Sequence, residues 1–267
     1  MGWRGAALGV GHDKRMKLWQ SKLRAFGIHL LISLTVAALA ALVVFGVWFP
    51  FPYREISGGR ELFLLIVTVD VILGPLITFT SYNPKKSHRE KTLDFSVIGL
   101  IQISALLYGL WTVFEARPVH AVFEYDRLRV VHAAEIPREL LDKVPQSIEA
   151  LPLTGPTWLS LRPLNGSETM DMTMAALDGV ELAARPELWQ PYETELKAIL
   201  QAAHPVTELK TRFPAQSAMI DRAVAEAGKP ADALVYLPMQ ARKETVWTVL
   251  IDRETAKPLA YLPLESF

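Results

Sequence analysis

The 267-residue chain contains no cysteine. That excludes disulfides, thiolate metal sites and a cysteine nucleophile, so any folded part must be stabilised by its own core. It also lacks the short motifs that announce common chemistries: no GxSxG, no P-loop, no GxGxxG and no HExxH. Its six histidines (12, 29, 88, 120, 132 and 204) are scattered, with no close pair on one helix face. His120 and His132 fall in an expected hairpin and read as surface or edge residues. No catalytic residue, metal site or cofactor is expected. A net charge is missing as well, since 28 Lys and Arg balance 28 Asp and Glu. The balance conceals a split, however. Residues 1–114 hold 12 basic and 6 acidic side chains, and residues 115–267 hold 16 and 22. A nucleic-acid binder needs a basic face on its soluble part, and the C-terminal part here is acidic.

What the chain does have is long runs without charge. Residues 62–82, LFLLIVTVDVILGPLITFTSY, carry one charge, Asp70, near the middle. As a helix this run is roughly 31 Å long, about the thickness of the hydrocarbon core of a bilayer. Residues 28–49 and 95–114 are two further spans. The fold class expected is therefore a membrane protein: three transmembrane α-helices (28–49, 62–82, 95–114) followed by an α+β periplasmic domain (115–267). Ala38-Leu39-Ala40 resembles a signal-peptide cleavage site, but apolar residues continue to Phe49, so the first span reads as uncleaved. Residues 1–25 form a cytoplasmic N-terminal segment. Met16 opens the basic stretch MKLWQSKLR and is an alternative start, so residues 1–15 are expected to be disordered or spurious.

Lys and Arg counts set the orientation. Six lie before the first span, two (Arg54, Arg60) in the first loop and four (Lys85, Lys86, Arg89, Lys91) in the second. Positive loops stay cytoplasmic, which places the N-terminus inside and everything after Phe114 outside. The aromatic groups Trp48, Phe49, Phe51, Tyr53 and Trp111, Phe114 put the ends of spans one and three on the same side.

The C-terminal part begins with a hairpin, 119–124 and 128–133 around Tyr125-Asp126-Arg127. Pro137 starts a short helix ending near Lys143. The proline-bearing stretch 145–166 reads as a structured loop. Helices are expected over 167–184 (broken at Asp178-Gly179), 187–203 and 213–227, the last capped by Gly228. Strands follow at 233–237, 245–251 and 258–262.

Asp70 carries the sharpest functional question, because a carboxyl at that depth costs on the order of 3 kcal/mol unless protonated or partnered. A carboxylate dyad fails on depth. Asp70 lies roughly 18 Å from the cytoplasmic face and Asp94, the other acid beside a span, lies at about zero. Tyr108 comes out level with Asp70 at roughly 19–20 Å, whereas Gln102 is at roughly 10 Å and His29 at roughly 4–5 Å. Tyr108 is thus the expected hydrogen-bond partner, with Gln102 and His29 as secondary polar contacts. Pro75 frees the Val71 carbonyl and breaks the helix. Asp70, Gly74 and Thr78 share a small polar face, suited either to pairing spans of this chain or to accepting a partner's helix.

The strings KLRAFGIHLLIS (22–33), WFPFPY (48–53), VDVILGPLITF (69–79), ALLYGLWTVFEARPV (105–119) and LIDRETAKPLAYL (250–262) resemble the type IV pilin accessory proteins, the TfpX/TfpZ family. The likeness runs from about Lys17 to the C-terminus and is densest in the membrane half. It implies a non-enzymatic inner-membrane protein that helps one type IV pilin accumulate or assemble. Its partners would be the pilin's transmembrane helix, the pilin's periplasmic head and the bilayer, with no nucleic acid; self-association stays open. The alternative is a membrane-tethered periplasmic ligand sensor, although the short cytoplasmic parts leave it no output domain. A transporter subunit would need more polar residues along the spans.

Overall fold

The computed structural model describes residues 6–166, 168–170, 174, 179–241 and 245–267. These divide into two compact units. One joins Met1–Val44 to Arg60–Val113, and the other joins Phe45–Gly59 to Phe114–Phe267.

The first unit contains three helices long and apolar enough to cross a membrane. Helix α1 spans Ala6–Val43 and runs on through a π-helical turn, Val44–Trp48. Helix α2 spans Gly59–Ser81, and α3 spans His88–Glu115. Each exceeds the charge-free run expected for it, because polar residues extend a helix once the apolar part has formed. The same economy corrects the reading of the N-terminus, where helix begins at Ala6. The first helix ends at Trp48, ahead of Pro50 and Pro52, whereas Pro75 does not break α2 as expected. Over Thr68–Leu73 the hydrogen bonds widen to the π pattern, and α-helix resumes at Gly74 with Pro75 in its first turn. Pro75 has no N–H to offer, and a π-turn ahead of it absorbs the mismatch within a continuous helix.

The link between α2 and α3 is ordered by a capping box. The Ser87 N–H and hydroxyl donate to Glu90 Oε2 (both 2.8 Å), and the Glu90 N–H donates back to Ser87 Oγ at 3.3 Å. Lys86 pairs with Asp94 at 2.5 Å, so the acid at this boundary is neutralised locally.

The second unit is built on one mixed sheet. Its strands are β1 (Pro118–Glu124), β2 (Arg127–His132), β3 (Thr157–Leu161), β4 (Trp189–Pro191), β5 (His204–Pro205), β6 (Leu234–Gln240), β7 (Val246–Asp252) and β8 (Pro258–Leu262). They run in the order β4-β3-β1-β2-β6-β7-β8, with β5 against β6. Pairs β1·β3 and β2·β6 are parallel and the others antiparallel. Strands β1 and β6 are buried along almost their whole length, as expected for strands covered on both faces. Helices α4 (Leu196–Ala202), α5 (Val206–Arg212) and α6 (Ser217–Ala227) are the longer helices of this unit. Leu209 of α5 and Ile220 of α6 pack with Leu234, Tyr236 and Leu250 in one cluster. Gly228 ends α6 at φ 67°, the left-handed cap expected there.

Three expectations are corrected here. The loop 145–166 contains strand β3, which pairs with β1. The helix expected over 187–203 is helical only from Leu196, because Trp189–Pro191 is drawn into an edge strand against β3. Tertiary pairing outweighs the helical spacing of Leu188, Tyr192 and Leu196. His120 and His132 are 0% and 4% exposed rather than superficial. The helix expected over 167–184 lies partly outside the described residues; within them, Leu182–Ala184 forms only a 3₁₀ turn.

The connector Phe45–Gly59 is the least expected part of this unit. Instead of a bare link, it is a piece of the core. Phe49 is fully buried, and Tyr53 and Ile56 join Phe123, Leu128, Leu237, Val249 and Ile251 in the main cluster. Phe51 sets its ring against Trp247 and Tyr261, each with centroids 6.3 Å away. A Cβ on Gly59 would fall 2.5 Å from Phe49 Cδ1, so the chain leaves this core through a residue with no side chain. The rings of Trp48 and Phe114 meet at 5.2 Å, which puts the ends of the first and third helices together on one side, as the aromatic pattern implies.

Candidate functional site

The polar residues of the first unit converge on α2. Small residues at Gly74 and Thr78 let α1 approach closely, and both are buried. His29 Nδ1 lies 2.5 Å from Thr78 Oγ1. A Cβ on Gly74 would collide with Gln102 Nε2 and would sit 3.3 Å from His29 Nε2. Pro75 is buried beside it. The face read as either a pairing surface or a partner's seat is therefore occupied from within, by His29 of α1 and Gln102 of α3. Near one end of these helices the ring of Phe79 packs against Trp19 and Phe26, with Lys22 Nζ 5.6 Å from its centroid.

Asp70 sits in the π-turn, half buried, within electrostatic reach of His29. Tyr108, the expected partner, lines the α2–α3 groove together with Asp70 but is 69% exposed, with its ring 6.0 Å from that of Trp111. Equal depth along the membrane normal says nothing about azimuth, and the helix rotation that faces Gln102 inward turns Tyr108 out. Depth counting does contain the signal for the pairs that form. His29 and Thr78 come out at similar depth, as do Gln102 and Gly74.

Helix α3 meets α2 where Gln102 faces Gly74 and where Gly109 faces Ile66, and is otherwise little covered. Only 6% of its most apolar stretch is buried. On one side, a groove of about 750 Å³ is walled by α1 and α3, with Asp70 and Thr78 of α2 among its lining. On the other, a groove of about 380 Å³ runs between α2 and α3. The larger one is apolar but carries Ser21, Arg24, His29, Ser33, Asp70 and Gln102 along its length. Gln102 Nε2 is buried and has no hydrogen-bond partner among the described residues.

The second unit has polar groups that build rather than react. His120 Nδ1 accepts from the Thr157 hydroxyl at 2.6 Å, and its Nε2–H donates to the Ala150 carbonyl at 3.0 Å. Burial pushes its pKa down to about 4. The Arg117 guanidinium donates to the carbonyls of Phe114, Leu151 and Pro152 and lies 3.7 Å from the Phe114 ring centroid. It thereby caps the end of α3 and holds the loop before β3. Arg129 pairs with Glu181, while burial raises the Glu124 carboxyl. Hydrogen bonds from Lys229 and from the Glu254 and Thr255 N–H groups hold Asp252 well below the usual carboxylate range. Among the described residues, no three His, Asp or Glu side chains are grouped to hold a metal.

Residues 17–58 match the model of the fimbrial assembly protein FimB. A fimbrial assembly protein of serogroup I from Dichelobacter nodosus is 38% identical over 246 residues, covering 90% of this chain and 94% of that protein. The serogroup E1 protein from the same organism is 36% identical over the same shares. The chain belongs to the FimB family of fimbrial assembly proteins. A third relative, from serogroups C1 and C2, is 47% identical over 135 residues, which is 51% of this chain and 99% of that protein. No solved structure matches. Membership agrees with the resemblance to type IV pilin accessory proteins. The matched stretch of the FimB model takes in most of α1 together with the connector that enters the core of the second unit.

Proposed function

We propose that this protein is a non-enzymatic inner-membrane accessory protein that helps a type IV pilin accumulate or assemble into pili. Its N-terminus is cytoplasmic and its sheet domain is periplasmic. The observation that carries the reading is the connector Phe45–Gly59, which leaves one membrane-length helix, enters the core of the sheet domain and returns to the next. The chain thereby passes between the folded domain and the membrane unit three times, at 44/45, 59/60 and 113/114. A membrane-anchored pilin has an apolar helix and a folded head on one side of the bilayer, so a protein that handles it needs matching parts. The relatives' names place them in fimbrial assembly, and the Lys and Arg distribution supports the orientation.

The test is deletion of the gene, with surface pili and total pilin measured beside an unrelated inner-membrane process. The expected result is a loss of pili and pilin that the intact gene restores, with the other process unchanged. Unchanged pilin and piliation would remove the reading.

A further inference from the structure

We infer that the sheet domain rests on the surface of the bilayer through Phe51, Trp247 and Tyr261, with Arg54 beside them placed for the lipid phosphates. The inference rests on the proposed membrane placement, but the surface is argued from the domain itself. Strand β1 starts at Pro118, three residues after α3 ends at Glu115. Pro118 pairs with His132, the last residue of β2. Strand β2 runs parallel to β6, with Leu128 beside Met239, so this is also the end at which β6 finishes and β7 begins. The connector emerges there too, since the Trp48 ring meets that of Phe114 and Gly59 backs on to Phe49. One end of the sheet therefore gathers the places where the chain leaves for the membrane-length helices.

At that end stands an aromatic group with no counterpart at the other. Phe51 is exposed, and the half-buried rings of Trp247, near the start of β7, and Tyr261 flank it. The Arg54 guanidinium lies 5.6 Å from the centroid of the Phe51 ring. Aromatic rings settle at the headgroup level, and an arginine among them extends its head to phosphate. The far end of β7 lies roughly 17 Å from Trp247 at about 3.4 Å per residue, and it carries Lys229, Asp232, Asp252, Arg253 and Glu254 instead. The tether decides the occupant. Phe51 follows the end of the first helix by three residues, roughly 11 Å of chain at most. The headgroup layer adds roughly 5–8 Å on each side of the hydrocarbon core, so a ring tethered this closely meets lipid before any other partner reaches it.

The absence of cysteine makes the test direct, because a single introduced cysteine takes a single label. The full chain is reconstituted in vesicles of phosphatidylethanolamine and phosphatidylglycerol, with an environment-sensitive fluorophore on Phe51→Cys, Arg54→Cys or Glu254→Cys. Lipids carrying a nitroxide just below the headgroup should quench the labels at 51 and 54 about two-fold or more, as insertion into the headgroup–acyl boundary requires, and leave 254 unchanged. Equal quenching at 51 and 254 would overturn the surface. So would a blue-shifted label at 51 that the nitroxide does not reach, since protein would then be covering it. Leu100→Cys, on the exposed side of α3, separates this inference from the reading beneath it. If a nitroxide deep in the acyl chains quenches 100 while 51 stays unquenched, only the surface falls; if 100 is not quenched, the membrane placement falls first.

Discussion

His120 is kept neutral by burial, and this ties the stability of the sheet domain to pH with a definite sign. Its pKa drops to about 4 in the fold from an unfolded value near 6.5. Between those values the unfolded chain binds more protons, so stability is fully present above about pH 6.5 and falls as pH drops toward 4. The shift corresponds to about 3 kcal/mol at most. Asp252, held low by Lys229 and two backbone N–H groups, adds a further loss below the unfolded carboxylate range. We predict that denaturant unfolding of the purified protein between pH 7 and 4 shows this fall. His120→Gln should flatten the part between pH 6.5 and 4 while lowering stability at pH 7. An unchanged slope in the variant would mean that other groups set the pH response. Period-two alternation places this histidine at the surface because it cannot show that β3 covers the other edge of β1.

At the scale of elements, the pairing of α1 with α2 depends on Gly74 having no side chain. Its Cβ position is taken by the Gln102 amide and crowded by His29. Gly74→Val would have to push α1 or α3 away, and overpacking of this kind costs about 1–3 kcal/mol. Gly27→Val is the control, since nothing lies within 4 Å of its Cβ position. Thermal unfolding in detergent should show a lower midpoint for the first variant than for the second. Equal midpoints would show that Gln102 moves aside without cost. The three helices were legible in the sequence because length and apolarity alone decide them. The azimuth of each helix was not, and so depth alone favours Tyr108 over His29 and Gln102. The sheet shows the same limit. The hairpin β1–β2 and strands β6 to β8 carry their own turn signals, whereas β3 and β4 exist only by pairing with each other and with β1. Proline in both of their segments made loop or helix the better local reading.

Across the whole molecule, the connector makes one folded body out of two distant stretches of sequence. WFPFPY reads as an interfacial aromatic belt, and Phe51 does remain 54% exposed. Yet Phe49, Tyr53 and Ile56 are at most 4% exposed, and no local pattern distinguishes a belt aromatic from one that enters a domain more than sixty residues away in sequence. Because Phe45–Gly59 and Phe114–Phe267 share a core, they occupy the same side of whatever membrane the helices cross. A crossing by α1 then sends the N-terminus to the opposite side, and α2 and α3 must cross as a pair. The sheet domain also cannot complete its core until the connector has been delivered. Burying three such side chains is worth about 4.5–9 kcal/mol at about 1.5–3 kcal/mol each, comparable to the net stability of a domain. A fragment of residues 114–267 should therefore lack a cooperative unfolding transition, and joining residues 45–59 to it through a flexible linker should restore one. Mutating Tyr53 and Ile56 to Ala within that fusion should abolish the gain. A fragment that unfolds cooperatively without the connector, at the same midpoint as the fusion, would show that these side chains merely rest on a core already complete.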